Sequence, residues 1–241
     1  MKIIRSATHF GSSKKASLEI CRQVLIKKDS VLGFATGSSP MEIYKYLIQY
    51  YKEGLVTFKQ VTAFNLDEYV GIEKTHPNSY AYFMKDNLFS HIDIDINKCN
   101  IENGLADDLE KECENYEKAI DSAGGIDLQI LGIGTNGHIG FNEPSDKISA
   151  KTHIVKLTQS TIDSNSKYFS DMQMPTKAIT MGIASIMKAK KIILIASGKE
   201  KAQAIYDSVY GEITPKMPAS ILRLHPDVSV YVDDEAGKFI I

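Results

Sequence analysis

Cysteine is scarce in this chain. Cys21, Cys99 and Cys113 are the three in 241 residues. The number is odd, no C-x-x-C spacing occurs and no histidine cluster accompanies them. The pattern argues against a disulfide framework or a zinc site and favours a reduced, cytoplasmic setting. Long apolar runs are missing as well. The greasiest stretch, IILIA at 192–196, is far too short to span a bilayer. The opening MKIIRSATHF is too short and too polar for a secretion signal. Neither sign of charge dominates, with 28 Lys+Arg against 30 Asp+Glu and a formal net charge of -2. That balance argues against nucleic acid or an anionic membrane as the main partner. The basic residues between Lys2 and Lys28 are interleaved with apolar ones and read as a solvated helix face. With no internal repeat, low-complexity tract or Pro/Ser linker, one domain over 1–241 is expected.

Hydrophobic residues at 43% and charged residues at 24% allow a sizeable core. Strand-like apolar runs alternate with amphipathic helical runs. Strands are expected at 31–37, 61–69, 127–134, 151–157, 177–182, 190–198 and 227–234. Helices are expected at 39–54, 77–90, 107–125 and 199–211. Apolar strands alternating with helices imply an α/β fold: an open, mostly parallel, doubly wound (Rossmann-like) sheet with helices on both faces. Ligands of such sheets sit at the carboxyl ends of the strands, so the strand-end loops are where chemistry is sought.

Four of these loops stand out. In FATGSSP (34–40) Gly37 permits a tight turn, Ser38 or Ser39 can cap the next helix, and Pro40 suits its first turn. The same pattern serves an ordinary helix start or an anion site. FNLDEYVG (64–71) delivers Asp67 and Glu68 at a strand end, as a general base or as a solvated acidic pair. LGIGTNGHIGFNEP (131–144) matches G-x-G-x-x-G at Gly132, Gly134 and Gly137. A dinucleotide turn would need a helix directly behind the third glycine and an acid ending the next strand. HIGFNEP is poor helix material and KTHIVKL ends without an acid, so that reading fails. A turn-rich structural loop is one remaining reading, and an acid–base pair of His138 and Glu143 is the other, because a carboxylate beside an imidazole raises its basicity and fixes its tautomer. In ASGKEKAQAI (196–205) Lys199 and Lys201 open a helix where cations oppose the dipole. They either reach out to water or face a bound anion.

Together these segments resemble the glucosamine-6-phosphate deaminase family. TGSSP (36–40), FNLDEYVGI (64–72), HPNSYAYFM (76–84), LGIGTNGHIGFNEP (131–144) and SGKEKA (197–202) carry the likeness, which runs over nearly the whole chain. NLDEYVG combined with GHIGFNEP is its most specific part. The resemblance implies conversion of glucosamine 6-phosphate to fructose 6-phosphate and ammonia with no cofactor and no metal. It makes Asp67 the base that moves a proton from C2 to C1, and His138 the ring-opening group, oriented by Glu143. Asn136 stands where some members carry aspartate, which leaves Glu143 to tune the imidazole. Phosphate would be bound by Gly37, Ser38, Ser39, Lys201 and Lys167, the last replacing an arginine found in other members.

Larger members are activated by N-acetylglucosamine 6-phosphate through basic residues after the FNEP loop and through a C-terminal segment. His153 and Val155 occupy those basic places here, and Ile241 follows the last strand closely. A monomer or small homo-oligomer with hyperbolic kinetics is therefore expected, taking a small phosphorylated amino sugar as its partner. A sugar-phosphate lactonase or isomerase and a non-catalytic sugar-phosphate sensor are the alternative readings.

Overall fold

The computed structural model describes residues 1–169 and 172–240. Seven strands form the main sheet: β1 (Lys2–Ser6), β2 (Val31–Phe34), β3 (Thr62–Asn65), β5 (Cys99–Asn100), β6 (Leu128–Leu131), β9 (Lys191–Ala196) and β10 (Val228–Asp233). Their order is β1-β10-β9-β6-β2-β3-β5 and every adjacent pair runs parallel. The chain moves outward from β2 through β3 to β5, then returns to lay β6 on the other side of β2. The loops after β2 and β6 thus part at the switch point, where open α/β sheets form their ligand crevice.

Alternation along each strand feeds two separate cores. In β9, Ile193 and Ile195 pack with Leu32, Phe34 and Ile130 against α1 (His9–Ile26), α2 (Met41–Lys52) and α3 (Tyr80–Asn87). Ile192, Leu194 and Ala196 face the other way, toward α4 (Leu109–Ser122), α6 (Ile183–Met187) and α7 (Ala202–Tyr210). Burial on both faces is why these strands read as continuous apolar runs, and each large buried side chain contributes roughly 1.5–3 kcal/mol. The doubly wound parallel architecture expected from the sequence is the one observed.

Three expectations need correction. The run 61–69 is two strands. β3 ends at Asn65, whose carbonyl accepts a hydrogen bond from the Tyr116 hydroxyl at 2.8 Å. The chain then bends so that the Asn65 side chain donates to the Asp67 carbonyl at 2.7 Å. β4 (Asp67–Tyr69) starts a second, antiparallel sheet with β7 (His153–Lys156) and β8 (Lys177–Thr180), in the order β4-β8-β7. The runs 151–157 and 177–182 are therefore strands of this small sheet and take no place in the parallel one. The third correction is at α2. Pro40 occupies the cap position and no side chain caps the helix among the described residues, so neither Ser38 nor Ser39 does so. Proline lacks an N–H and its fixed φ starts the helix behind the serines, which stay in the preceding turn. β1, β5, α5 (Gln159–Asn165) and α6 were not anticipated as elements, whereas the solvated helix face read between Lys2 and Lys28 is found on α1, where Lys14, Lys15 and Arg22 are exposed.

Candidate active site

A cavity of about 780 Å³ opens at the carboxyl ends of β2, β6 and β9 and is walled by the small sheet. Gly37, Ser38, Ser39, Asp67, Asn136, His138, Glu143 and Lys201 all line it. Lys167 does not. It stands exposed on a 3-10 turn (Ser166–Tyr168), flanked by Asn165 and Phe169, which are lining residues.

Asp67 begins β4 and is 6% exposed. Burial, with the nearby Glu68 charge as a second cause, pushes its carboxyl up to about 8. Period-two alternation sends the neighbouring acid elsewhere. Glu68 accepts the backbone N–H groups of Tyr69 at 2.8 Å, Tyr80 at 2.9 Å and Ala81 at 2.9 Å, two of them at the start of α3. Of the acidic pair, one member faces the cavity and the other anchors a helix. Thr180 of β8 pairs with Asp67 across the small sheet, and its hydroxyl accepts the Phe141 N–H at 3.1 Å. One strand thereby fixes both the base candidate and the loop that carries the histidine.

That loop is held by its own turns. Gly134 N–H donates to the His138 carbonyl at 2.9 Å, and Asn142 donates to the carbonyls of Ile139 and Met181, each at 2.9 Å. A Cβ on Gly134 would lie 2.3 Å from the imidazole, so the glycine makes room for the ring. His138 Nδ1 lies 3.3 Å from Glu143 Oε1, within ion-pair distance but off the hydrogen-bond line. The Asn136 side-chain amide donates to Glu143 Oε2 at 2.7 Å, and its Oδ1 accepts the His138 backbone N–H at 3.2 Å. The Thr161 hydroxyl of α5 donates to Glu143 Oε1 at 3.4 Å. Burial pushes the Glu143 carboxyl up, but the imidazole and the Asn136 and Thr161 donors outweigh it and hold the group below the usual carboxylate range. Asn136 thus gives Glu143 a donor where an aspartate would add a second negative charge.

Two further loops bring Gly37, Ser38, Ser39 and Lys201 to the cavity. The turn at Gly37–Ser39 leads into the uncapped start of α2, whose free N–H groups and dipole favour negative charge. Lys201 ends a 3-10 turn (Lys199–Lys201) just before α7. Desolvation lowers its pKa, with Glu200 opposing. Lys199 is exposed, which separates the two lysines: one reaches out to water and the other lines the cavity.

The aromatic wall was missed at the residue level. Tyr80 stacks on Phe141 with centroids 6.1 Å apart, its hydroxyl lies 3.2 Å from that of Tyr69, and Phe169 meets Tyr69 edge-on. Tyr69 and Tyr80 lie in the motifs FNLDEY and HPNSYAYFM, so their position was available. Nothing local to Thr161 or Asn165 marked them, because they arrive on α5 from a different part of the chain.

The chain is similar to proteins of known class. A family model described as glucosamine-6-phosphate isomerases/6-phosphogluconolactonase matches residues 12–230. A glucosamine-6-phosphate deaminase of Thermoanaerobacter pseudethanolicus is 54% identical over 241 residues, covering 100% of this chain and 95% of the relative. The solved structure of a monomeric glucosamine-6-phosphate deaminase superposes with a TM-score of 0.95 at 44% identity, over 99% of both chains. A 6-phosphogluconolactonase from Trypanosoma cruzi shares the fold at a TM-score of 0.81 and 19% identity, over 99% of this chain and 96% of that one. The chain belongs to the glucosamine-6-phosphate isomerase/6-phosphogluconolactonase family.

Proposed function

We propose that the cavity converts glucosamine 6-phosphate and water to fructose 6-phosphate and ammonia. The observation that carries this reading is the meeting of two differently tuned acid–base groups, Asp67 and His138–Glu143, in one cavity that also holds Lys201. The phosphate rests on the Gly37–Ser39 turn and on Lys201, with a lesser share for exposed Lys167, and supplies remote binding energy that holds the sugar in place. His138, oriented by Glu143 and Asn136, moves the proton that opens the ring. Asp67 takes the C2 proton and returns it to C1 through an enolamine. Water then adds at C2 and the C–N bond breaks, releasing ammonia and leaving the ketone. A carboxyl poised near neutral pH suits a group that must both take and give a proton. No residue in this scheme calls for a metal or a nicotinamide.

We further take the chain as one catalytic unit, a cytoplasmic hydrolase of amino-sugar breakdown that works as a monomer or small oligomer. Among the described residues no helix is long and apolar enough to cross a membrane. The neutral Val155 and the lone His153 replace the basic contacts of the larger, regulated members, so N-acetylglucosamine 6-phosphate should leave a hyperbolic saturation curve unchanged. The deciding experiment is ammonia release by purified protein from glucosamine 6-phosphate, run beside hydrolysis of 6-phosphogluconolactone. Ammonia with no lactone hydrolysis is expected. Lactone hydrolysis alone would move the chain to the other branch of its family, and binding without turnover would make it a sensor.

A further inference from the structure

Lys201 stands at the joint between a three-residue 3-10 turn and the start of α7. It closes the short turn that follows β9, and that turn is secured from the neighbouring strand. The Asp233 carboxylate, at the end of β10 and 8% exposed, accepts the Gly198 N–H with both oxygens, at 3.2 and 3.1 Å. It also accepts the Ala236 N–H at 2.8 Å. Gly198 in turn gives its carbonyl to the Lys201 N–H at 3.1 Å. Gly198 sits at φ 86°, a conformation that glycine adopts without strain. A glycine in a loop is also the residue most free to leave its conformation, so an outside acceptor is what holds it there. Asp233 lines no part of the cavity and touches none of Asp67, Asn136, His138 or Glu143 by any hydrogen bond seen among the described residues.

We propose that Asp233 is the positioning residue for Lys201, fixing through Gly198 the place where the ammonium meets the substrate phosphate. The proposal rests on the phosphate role given to Lys201 above. A carboxylate suits this place because it accepts on both oxygens and donates on neither, while both groups it faces are backbone donors. An amide of the same shape turns one donor against another. Asp233→Asn should therefore keep the fold and loosen the turn, and Asp233→Ala should loosen it further.

The test is a double-mutant cycle between Asp233→Asn and Lys201→Ala, read as KM for glucosamine 6-phosphate, kcat, and competitive inhibition by inorganic phosphate. In the native background Asp233→Asn is expected to raise KM about tenfold, as loss of a buried charge-assisted hydrogen bond would. Phosphate inhibition should weaken in the same ratio, and kcat should stay within about threefold because the acid–base groups are held by other elements. In the Lys201→Ala background the substitution should add nothing to KM. An equal rise of KM in both backgrounds, or a fall in kcat at unchanged KM, would overturn the proposal while leaving the phosphate site standing. If Lys201→Ala alone left phosphate inhibition intact, the phosphate reading would fall and the proposal with it. Asp233→Ala supplies the larger loosening, and its thermal midpoint separates local effects from global unfolding.

Discussion

The strand end around Asp67 and the loop around Glu143 hold two carboxyl groups of one cavity that are tuned in opposite directions. Asp67 is set by what surrounds it, namely burial and the charge of its neighbour, and its pKa rises to about 8. Glu143 is half-buried, which pushes its carboxyl up as well, but donors from Asn136 and Thr161 and the imidazole of His138 bring it down. Burial alone therefore does not decide a carboxylate's character; the number of donors aimed at it does. The difference divides the labour. A group poised near neutrality can shuttle a proton between carbons, and a group kept ionised can orient and steady an imidazole.

The largest effect should come from Asp67→Asn, which removes the poised group. A loss of kcat of about 10²–10⁴-fold is expected, with exchange of the C2 hydrogen into solvent abolished and KM little changed. The same variant should melt at a higher temperature near pH 8. The raised pKa of Asp67 means that its ionisation costs stability as pH climbs from the ordinary carboxylate range toward about 8, and asparagine has no proton to lose. Hydrogen exchange at the native rate would show that the base lies elsewhere.

Glu143→Gln keeps the size of the side chain and removes its charge. A fall in kcat of about tenfold to a hundredfold is expected, since the imidazole loses its counter-charge. A loss below about threefold would mean that Asn136 and the loop backbone orient His138 unaided, and the contrast with Asp67 would lose its meaning.

The comparison can be sharpened by titration. In the free enzyme Asp67 must be ionised to act as a base, so kcat/KM should rise with pH and level off above about 8. Glu68→Gln removes the neighbouring charge, the lesser of the two causes, and should move that rise to lower pH. An unmoved limb would leave burial as the sole cause. Because Glu68 anchors the start of α3, the thermal midpoint of this variant should be recorded beside its pH profile.

The smallest effect concerns a third acid that touches no substrate. Glu102 is fully buried, both its oxygens lack a partner among the described residues, and burial drives its pKa well above the usual range. The folded state therefore holds this proton more tightly than the unfolded chain, and its contribution to stability is lost as pH rises above the unfolded value of about 4.3. Glu102→Gln should melt like the native protein near pH 5 and gain on it steadily toward pH 8, with kcat unaffected. A gain independent of pH would show that packing, not ionisation, sets the cost.

Much of this was written locally in the chain. The apolar runs 127–134 and 190–198 could only be strands buried on both faces, and the alternation with helices settled the class of fold. Asn136, His138 and Glu143 lie within eight consecutive residues, so one loop brings them together, and its glycines mark where a ring needs space. The tertiary structure decided the rest. Local pattern could not show that 61–69 breaks at Leu66, because the break depends on the Tyr116 hydroxyl and on pairing with β8, both contributed by remote parts of the chain. It could not tell Asp67 from Glu68, since two adjacent carboxylates differ only in what the folded chain places beside each. Nor could it link Gly198 to Asp233, which are separated in sequence and joined only because β9 and β10 lie side by side. Residue type and periodicity fix which elements form; the dielectric surroundings, donors and neighbours of each charged group exist only once those elements have packed.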